Sequence, residues 1–272
     1  MNDRVTVNIE SGVADVRMVR ADKMNALDDA MFGALIAAGE RLKSEAGLRA
    51  VVLSGEGRAF CAGLDMGSFG RMADGSRKGE ASDGGGLAAR THGIANRAQY
   101  AVWVWREVPV PVIAAVHGVA FGGGFQLCLG ADMRFVAPDA RLAVLEVKWG
   151  LVPDMAGTQL MRHLAREDIV RELTYTGRVF SGEEALAMGF ATRVCADPRG
   201  EALTMAREIA GKNPDAVRAS KRLLNNAVNI GPAEGFIQET EEQLALIGGP
   251  NQVEAVMANL LKRVPAFSDP KA

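Results

Sequence analysis

The folds open to this chain are narrowed chiefly by the stretch Pro109-Val-Pro-Val-Ile-Ala-Ala-Val-His-Gly-Val-Ala-Phe-Gly-Gly-Gly-Phe-Gln126. Its apolar run from Val110 to Val116 is rich in β-branched residues and reads as a buried strand, with the prolines confined to a first or edge position. Three consecutive glycines follow, Gly122 to Gly124, and Phe125 to Ala131 then reads as the start of a buried helix. A strand, a glycine turn and a helix N-terminus together form a place for negative charge. Glycine lets a ligand come close to the backbone, the first helical N–H groups lack intrahelical partners, and the helix dipole adds partial positive charge. A phosphate loop would need a lysine after the glycines, and none is there. The spacing Gly118-x-x-x-Gly122-Gly-Gly does not match a dinucleotide fingerprint, and no Gly-x-Ser-x-Gly elbow occurs. What remains is a pocket for a small oxyanion that forms during a reaction.

Composition removes several other classes. The chain has 272 residues, 48% hydrophobic and 24% charged, enough for one large domain or a domain with an appendage. Its net charge of −2 comes without a lysine- or arginine-rich run, so nucleic acid and anionic membranes are not expected partners. Cys61, Cys128 and Cys195 are widely separated, which argues against a disulfide framework and fits a reducing, cytoplasmic setting. His92, His117 and His163 show no metal-ligand spacing, so no metal is expected. The N-terminus has no signal-peptide pattern, and no uncharged apolar run reaches the ~20 residues of a membrane span.

Along the chain, residues 5–10 and 13–18 alternate as a hairpin around Ser11-Gly12. Asp28 caps a helix carrying Leu27, Met31, Leu35, Ala38 and Leu42, and residues 49–54 form the next strand. Residues 67–93 are rich in Gly, Ser, Arg and Asp and read as a mobile loop. A helix from Ile94 to Arg106 carries Tyr100, Trp103 and Trp105 as packing residues. Strands are expected at 132–137, 141–145 and 191–195, with helices at 158–164, 166–176 and 183–188 and a two-carboxylate loop at 146–154. After Pro198 only helices are expected. The division is therefore an α/β part, residues 1–197, and a helical part, residues 198–272, whose apolar faces must be covered by each other or by another subunit.

Ile113-Ala-Ala-Val-His-Gly118, Gly122-Gly-Gly124 and Leu129-Gly-Ala-Asp-Met133, with their spacing, resemble the signature of the crotonase (enoyl-CoA hydratase/isomerase) superfamily. The resemblance spans about residues 5–268. It implies an α/β spiral of ββα units with a C-terminal helical trimerisation region, assembled as a trimer or a pair of trimers. It also implies an acyl-CoA thioester substrate, with no cofactor beyond the coenzyme A that the substrate carries. By the same resemblance the thioester oxygen lies between the backbone N–H groups of Leu64 and Gly123. Hydratases of the family use two glutamates. The first falls here on Gln126, which can hold a water or a thioester but cannot accept a proton. The second falls on Glu146, and Asp154 resembles the second acid of dienoyl-CoA isomerases. One carboxylate without its partner favours a Δ3→Δ2-type double-bond shift with Glu146 as base. The alternatives are hydration of trans-2-enoyl-CoA and non-catalytic acyl-CoA binding. Expected coenzyme A contacts are Lys23, Ala26, Ala62, Asp65 and Met66, with Lys262 and Phe267 lent to a neighbouring subunit.

Overall fold

A computed structural model describes residues 4–73 and 87–270. Strands β1 (Val5–Glu10) and β2 (Val13–Met18) form the expected antiparallel hairpin. Helix α1 (Asp29–Lys43) starts where the Asp28 side chain accepts the Met31 N–H, and it buries Met31, Leu35, Ala38 and Leu42 on one face. Strand β3 (Ala50–Gly55) lies parallel to β2. Helix α2 (Met66–Ala73) occupies the front of the stretch expected to be loop. The Asp65 carboxylate accepts the Gly67 N–H, so this helix has the acidic cap that its glycines obscure in the sequence. The centre of the expected mobile loop, residues 74–86, lies outside the described residues.

Helix α3 (Arg97–Glu107) begins three residues later than expected, at a capping box between Asn96 and Gln99. It buries Tyr100 and Trp105, with Trp103 partly covered, as packing residues should be. Strand β4 (Val112–Val116) is fully buried and pairs with β3. A short strand, β5 (Val119–Phe121), separates it from helix α4 (Gly123–Leu129). Next come β6 (Met133–Val136), β7 (Arg141–Ala143), α5 (Gly157–Met161), α6 (Glu167–Thr176), β8 (Phe180–Ser181), α7 (Gly182–Met188) and β9 (Arg193–Val194).

These strands make two sheets. The larger has the order β1-β2-β3-β4-β6-β9, parallel from β2 onward, and the smaller has the order β5-β7-β8. The chain thus leaves β4, crosses to the second sheet as β5, and only then enters α4. Phe125 on α4 meets Phe180 and Phe190 edge-on, with ring centroids 5.5 and 5.4 Å apart, which fixes this helix in the core.

The expected helical region holds α8 (Pro198–Ala210), α9 (Pro214–Ala227), α10 (Pro232–Leu246) and α11 (Pro250–Leu260), each with proline at its N-terminus. Helix α8 packs Ala202 and Ala206 against Val52, Ile113 and Phe135, so it covers a face of the larger sheet. The helices that stand clear of the sheet are α9 to α11. Lys221 of α9 is buried, and its ammonium donates to the carbonyls of Trp105 and Val110 and pairs with Asp132 at 2.8 Å.

Asn25 ties the loop after β2 to the exit of β3. Wholly buried, it accepts the Arg20 N–H and donates to the carbonyls of Glu56 and Ala59. Asn25→Ala would leave these backbone groups unpaired. We expect a stability loss of about 2 kcal/mol by urea denaturation; a loss within error would show that the loop is held by other means.

Candidate active site

The site is built where the chain leaves β3 and where it leaves β5. The Cys61 N–H donates to the Val119 carbonyl at 3.0 Å, and the Phe121 N–H donates to the Cys61 carbonyl at 3.1 Å. On its other side the segment joins residue 27: the Leu27 N–H donates to the Gly63 carbonyl and the Asp65 N–H to the Leu27 carbonyl. Two glycines allow this close approach. Gly63 has φ +87°, and a Cβ there would sit 2.5 Å from the Phe121 carbonyl oxygen and 3.7 Å from the Gly123 nitrogen. A Cβ on Gly124 would meet the Cys61 carbonyl oxygen at 2.3 Å. Leu64 and Gly123 therefore lie in adjoining backbone segments. Among the described residues neither of their N–H groups donates to a protein acceptor, whereas those of Leu27, Asp65, Phe121 and Gly122 do.

Glu146 opens a 3₁₀ turn, Glu146–Trp149, soon after β7, and its side chain is 8% exposed. Its carboxylate lies against the glycine turn: a Cβ on Gly122 would come within 3.2 Å of Oε1. Oε1 accepts from Gln126 Nε2 at 2.6 Å, while Oε2 is buried with no hydrogen-bond partner. Burial raises the carboxyl above the usual glutamate range. Hydrogen bonds from the backbone and from Gln126 oppose that rise, and the charge of Asp154 reinforces it. Asp154 itself is exposed.

Gln126 is turned inward. Its Oε1 accepts the Met155 N–H at 2.8 Å and the Gly157 N–H at 2.9 Å. The amide oxygen is thus occupied, and one amide N–H is given to Glu146, so only the second N–H is left for the water or thioester expected of this side chain. Met155 closes the other flank of the turn. A Cβ on Gly123 would lie 2.7 Å from its Sδ and 2.9 Å from Leu27 Cδ1.

The expected coenzyme A contacts divide. Lys23 is exposed at the end of a 3₁₀ turn, followed by Met24 and Asn25, both with positive φ. Ala26 is buried, and its carbonyl accepts from Arg20; the Ala62 N–H donates to the Met24 carbonyl. Asp65 has structural duties as a pair with Arg20 at 2.7 Å and as the cap of α2. Though burial works against it, those contacts hold its carboxyl below the usual range. Met66 is exposed beside it. Within one chain Phe267 does not reach this site. Lys262 is exposed after α11, and Phe267 lines a pocket of about 240 Å³ with Gly12, Gly47 and Arg49, at the opposite end of the sheet. A larger cavity, about 1130 Å³, lies between α3, α5, α9 and α10 and includes none of Leu64, Gly123 or Glu146. Arg20 and Asn25 carry no signal in the sequence, because an arginine and an asparagine in a polar loop read as solvated.

Among the described residues no helix is long and apolar enough to cross a membrane, and no group of three or more His, Cys, Asp or Glu could hold a metal ion.

The chain as a whole has relatives. The family model for enoyl-CoA hydratase/isomerase matches residues 8–270. The mitochondrial Delta(3,5)-Delta(2,4)-dienoyl-CoA isomerase of Homo sapiens is 32% identical over 259 residues, covering 94% of this chain and 78% of the relative. The mitochondrial methylglutaconyl-CoA hydratase of Mus musculus is 28% identical over 263 residues, covering 94% and 79%. The crystal structure of an enoyl-CoA hydratase from Bacillus anthracis superposes with a TM-score of 0.86 at 28% identity, over 97% of this chain and 98% of that one. Isomerases and hydratases both stand among these relatives, so what they share names the group: the chain belongs to the enoyl-CoA hydratase/isomerase family, the crotonase superfamily.

Proposed function

We propose that the protein moves a carbon–carbon double bond in an acyl-CoA, converting a 3-enoyl thioester into the conjugated 2-enoyl thioester. The observation that carries this reading is the state of Glu146. One buried carboxylate oxygen has no partner, and the other is bonded to a neutral amide where a hydratase would place a second acid. In this reading the thioester oxygen accepts the N–H groups of Leu64 and Gly123, which stabilise an enolate by ~3–4 kcal/mol per donor. Glu146 takes a proton from C2, and the electrons of that C–H bond pass into the thioester carbonyl as a dienolate conjugated with C3=C4. The same carboxyl then delivers the proton to C4 as the carbonyl re-forms, leaving the double bond between C2 and C3. The C2–H bond is exchanged for a C4–H bond, with no redox change and no added water. Lys23 meets a phosphate of the coenzyme as a point charge.

A second reading is the longer shift of a 3,5-diene to a 2,4-diene. It is favoured by Asp154, whose charge is felt at Glu146, and by the similarity to dienoyl-CoA isomerases. Asp154 would then serve the far end of the diene.

Product analysis in deuterated water separates these readings. We expect 3-enoyl-CoA to yield 2-enoyl-CoA, with deuterium entering C4 only to the extent that the proton on Glu146 exchanges with solvent before its return. Preferred turnover of a 3,5-dienoyl-CoA selects the second reading. A 3-hydroxyacyl-CoA as main product would overturn both in favour of hydration, and no turnover of any enoyl-CoA would leave acyl-CoA binding as the function.

Glu146→Gln should lower kcat by about 10³-fold, within the range of a lost general base, while acyl-CoA binding changes less than about five-fold. Full activity in that variant would remove Glu146 from the chemistry.

The pH dependence follows from the raised carboxyl. kcat in the wild type should rise with pH along a limb above the ordinary glutamate value of about 4.3. The folded protein holds this proton more tightly than the unfolded chain does. The contribution to stability is therefore complete below the unfolded value and is lost as pH rises through the folded one. Glu146→Gln should accordingly melt above the wild type at pH 8, with the gap closing toward pH 4. A gap of the opposite sign would show that the carboxylate is better solvated than its burial implies.

A further inference from the structure

We propose that Gln126 is a positioning residue that dictates which oxygen of Glu146 carries the shuttled proton. The proposal deepens the reading above, and only its kinetic arm rests on that reading.

The orientation of this amide follows from its neighbours. Two main-chain N–H groups, of Met155 and Gly157, converge on one end of the Gln126 side chain at 2.8 and 2.9 Å. Only the carbonyl oxygen can receive them, so the nitrogen must be the end 2.6 Å from Glu146 Oε1. An amide nitrogen donates and never accepts. The bonded oxygen accepts from Gln126 in both protonation states, and because a carbonyl oxygen accepts better than a hydroxyl oxygen, this bond favours the proton on the other oxygen. When Glu146 is protonated, its hydrogen therefore favours Oε2, the buried oxygen with no protein partner. A glutamate at position 126 could not impose this, since either of two facing carboxyls can hold a shared proton.

The same amide joins three elements. It sits fully buried on α4, grips the carboxylate on the turn after β7, and holds the N-terminus of α5. Gly157 is required for the last contact, since a Cβ there would come within 2.5 Å of Gln126 Oε1. Holding Met155 in turn sets the thioether that flanks Gly123. Gln126 thus fixes the base and the wall of the donor turn relative to each other.

The test begins with the unliganded wild type. NMR follows the Gln126 side-chain amide protons and the ¹³C-labelled glutamate carboxyls against pH, with Glu146 assigned by its loss in Glu146→Gln. We expect one Gln126 amide proton to move with the same midpoint as Glu146. Independent titration of the two would overturn the proposal, whether or not any enoyl-CoA is turned over. In Gln126→Leu and Gln126→Glu, Glu146 should titrate higher than in the wild type. The acid limb of kcat should follow, kcat at pH 7 should fall about ten-fold or more, and KM should stay within about three-fold. Gln126→Glu keeps an acceptor for the Met155 and Gly157 N–H groups, so it serves where Gln126→Leu does not fold. An unchanged Glu146 titration and pH profile in a folded variant would sink the proposal, and the double-bond shift would stand without it.

Discussion

Two backbone segments that leave different strands have to lie side by side, and the rest of the molecule accommodates that requirement. Residues 61–65 follow β3 and residues 119–124 follow β4, and they share hydrogen bonds from Cys61 to Val119 and from Phe121 to Cys61. Neither segment could approach so closely with ordinary side chains at Gly63 and Gly124. The parallel pairing of β3 and β4 brings the two exits to the same end of the sheet. The second sheet then draws β5 away from β4 so that it can run beside residue 61. Contacts made elsewhere, such as the Phe125, Phe180 and Phe190 cluster, hold α4 at the angle this meeting needs.

Burial has opposite effects on the charged groups of the interior. Lys221 is also desolvated, which lowers its pKa, but Asp132 and two carbonyls surround the ammonium. It is satisfied, and it fastens α9 to the core. Glu146 is left with one oxygen unsatisfied beside a glycine turn. A buried group so exposed to desolvation without a full set of partners is costly to the fold. Asp15, Arg17, Arg49, Arg199 and Arg218 also bury a polar atom without a partner, so it is the place of Glu146 beside the glycine turn that sets it apart and motivates the role proposed for it.

Much of this was legible in the sequence. The hairpin, the Asp28 cap, the buried strand before the triple glycine and the helices after Pro198 follow from alternation, capping and proline placement, all of which act over a few residues. Glu146 and the paired segments at Leu64 and Gly123 came from the resemblance. What remained hidden depends on contacts between distant residues. Helix α2 begins inside a glycine-rich stretch because Asp65 caps it, and a lone aspartate in such a stretch looks like loop. Strand β5 is too short to show a period and exists only because β7 pairs with it. The direction in which Gln126 points could not be read, because the N–H groups that fix it lie 29 and 31 residues away. Asn25 reveals its importance only through partners 31 and 34 residues on.

The placement of Cys61 has a chemical consequence. A conjugated enoyl thioester is a Michael acceptor, and a thiolate beside it would be alkylated. Cys61 belongs to the very segment that adjoins Gly123, yet its Sγ is turned into the protein toward the Asn25 carbonyl, and burial pushes its thiol up to about 12. Cys128 on α4 is buried and pushed up to about 12 in the same way. Both sulfurs stay protonated and buried, so neither cysteine near the paired segments is offered to an electrophile of this class.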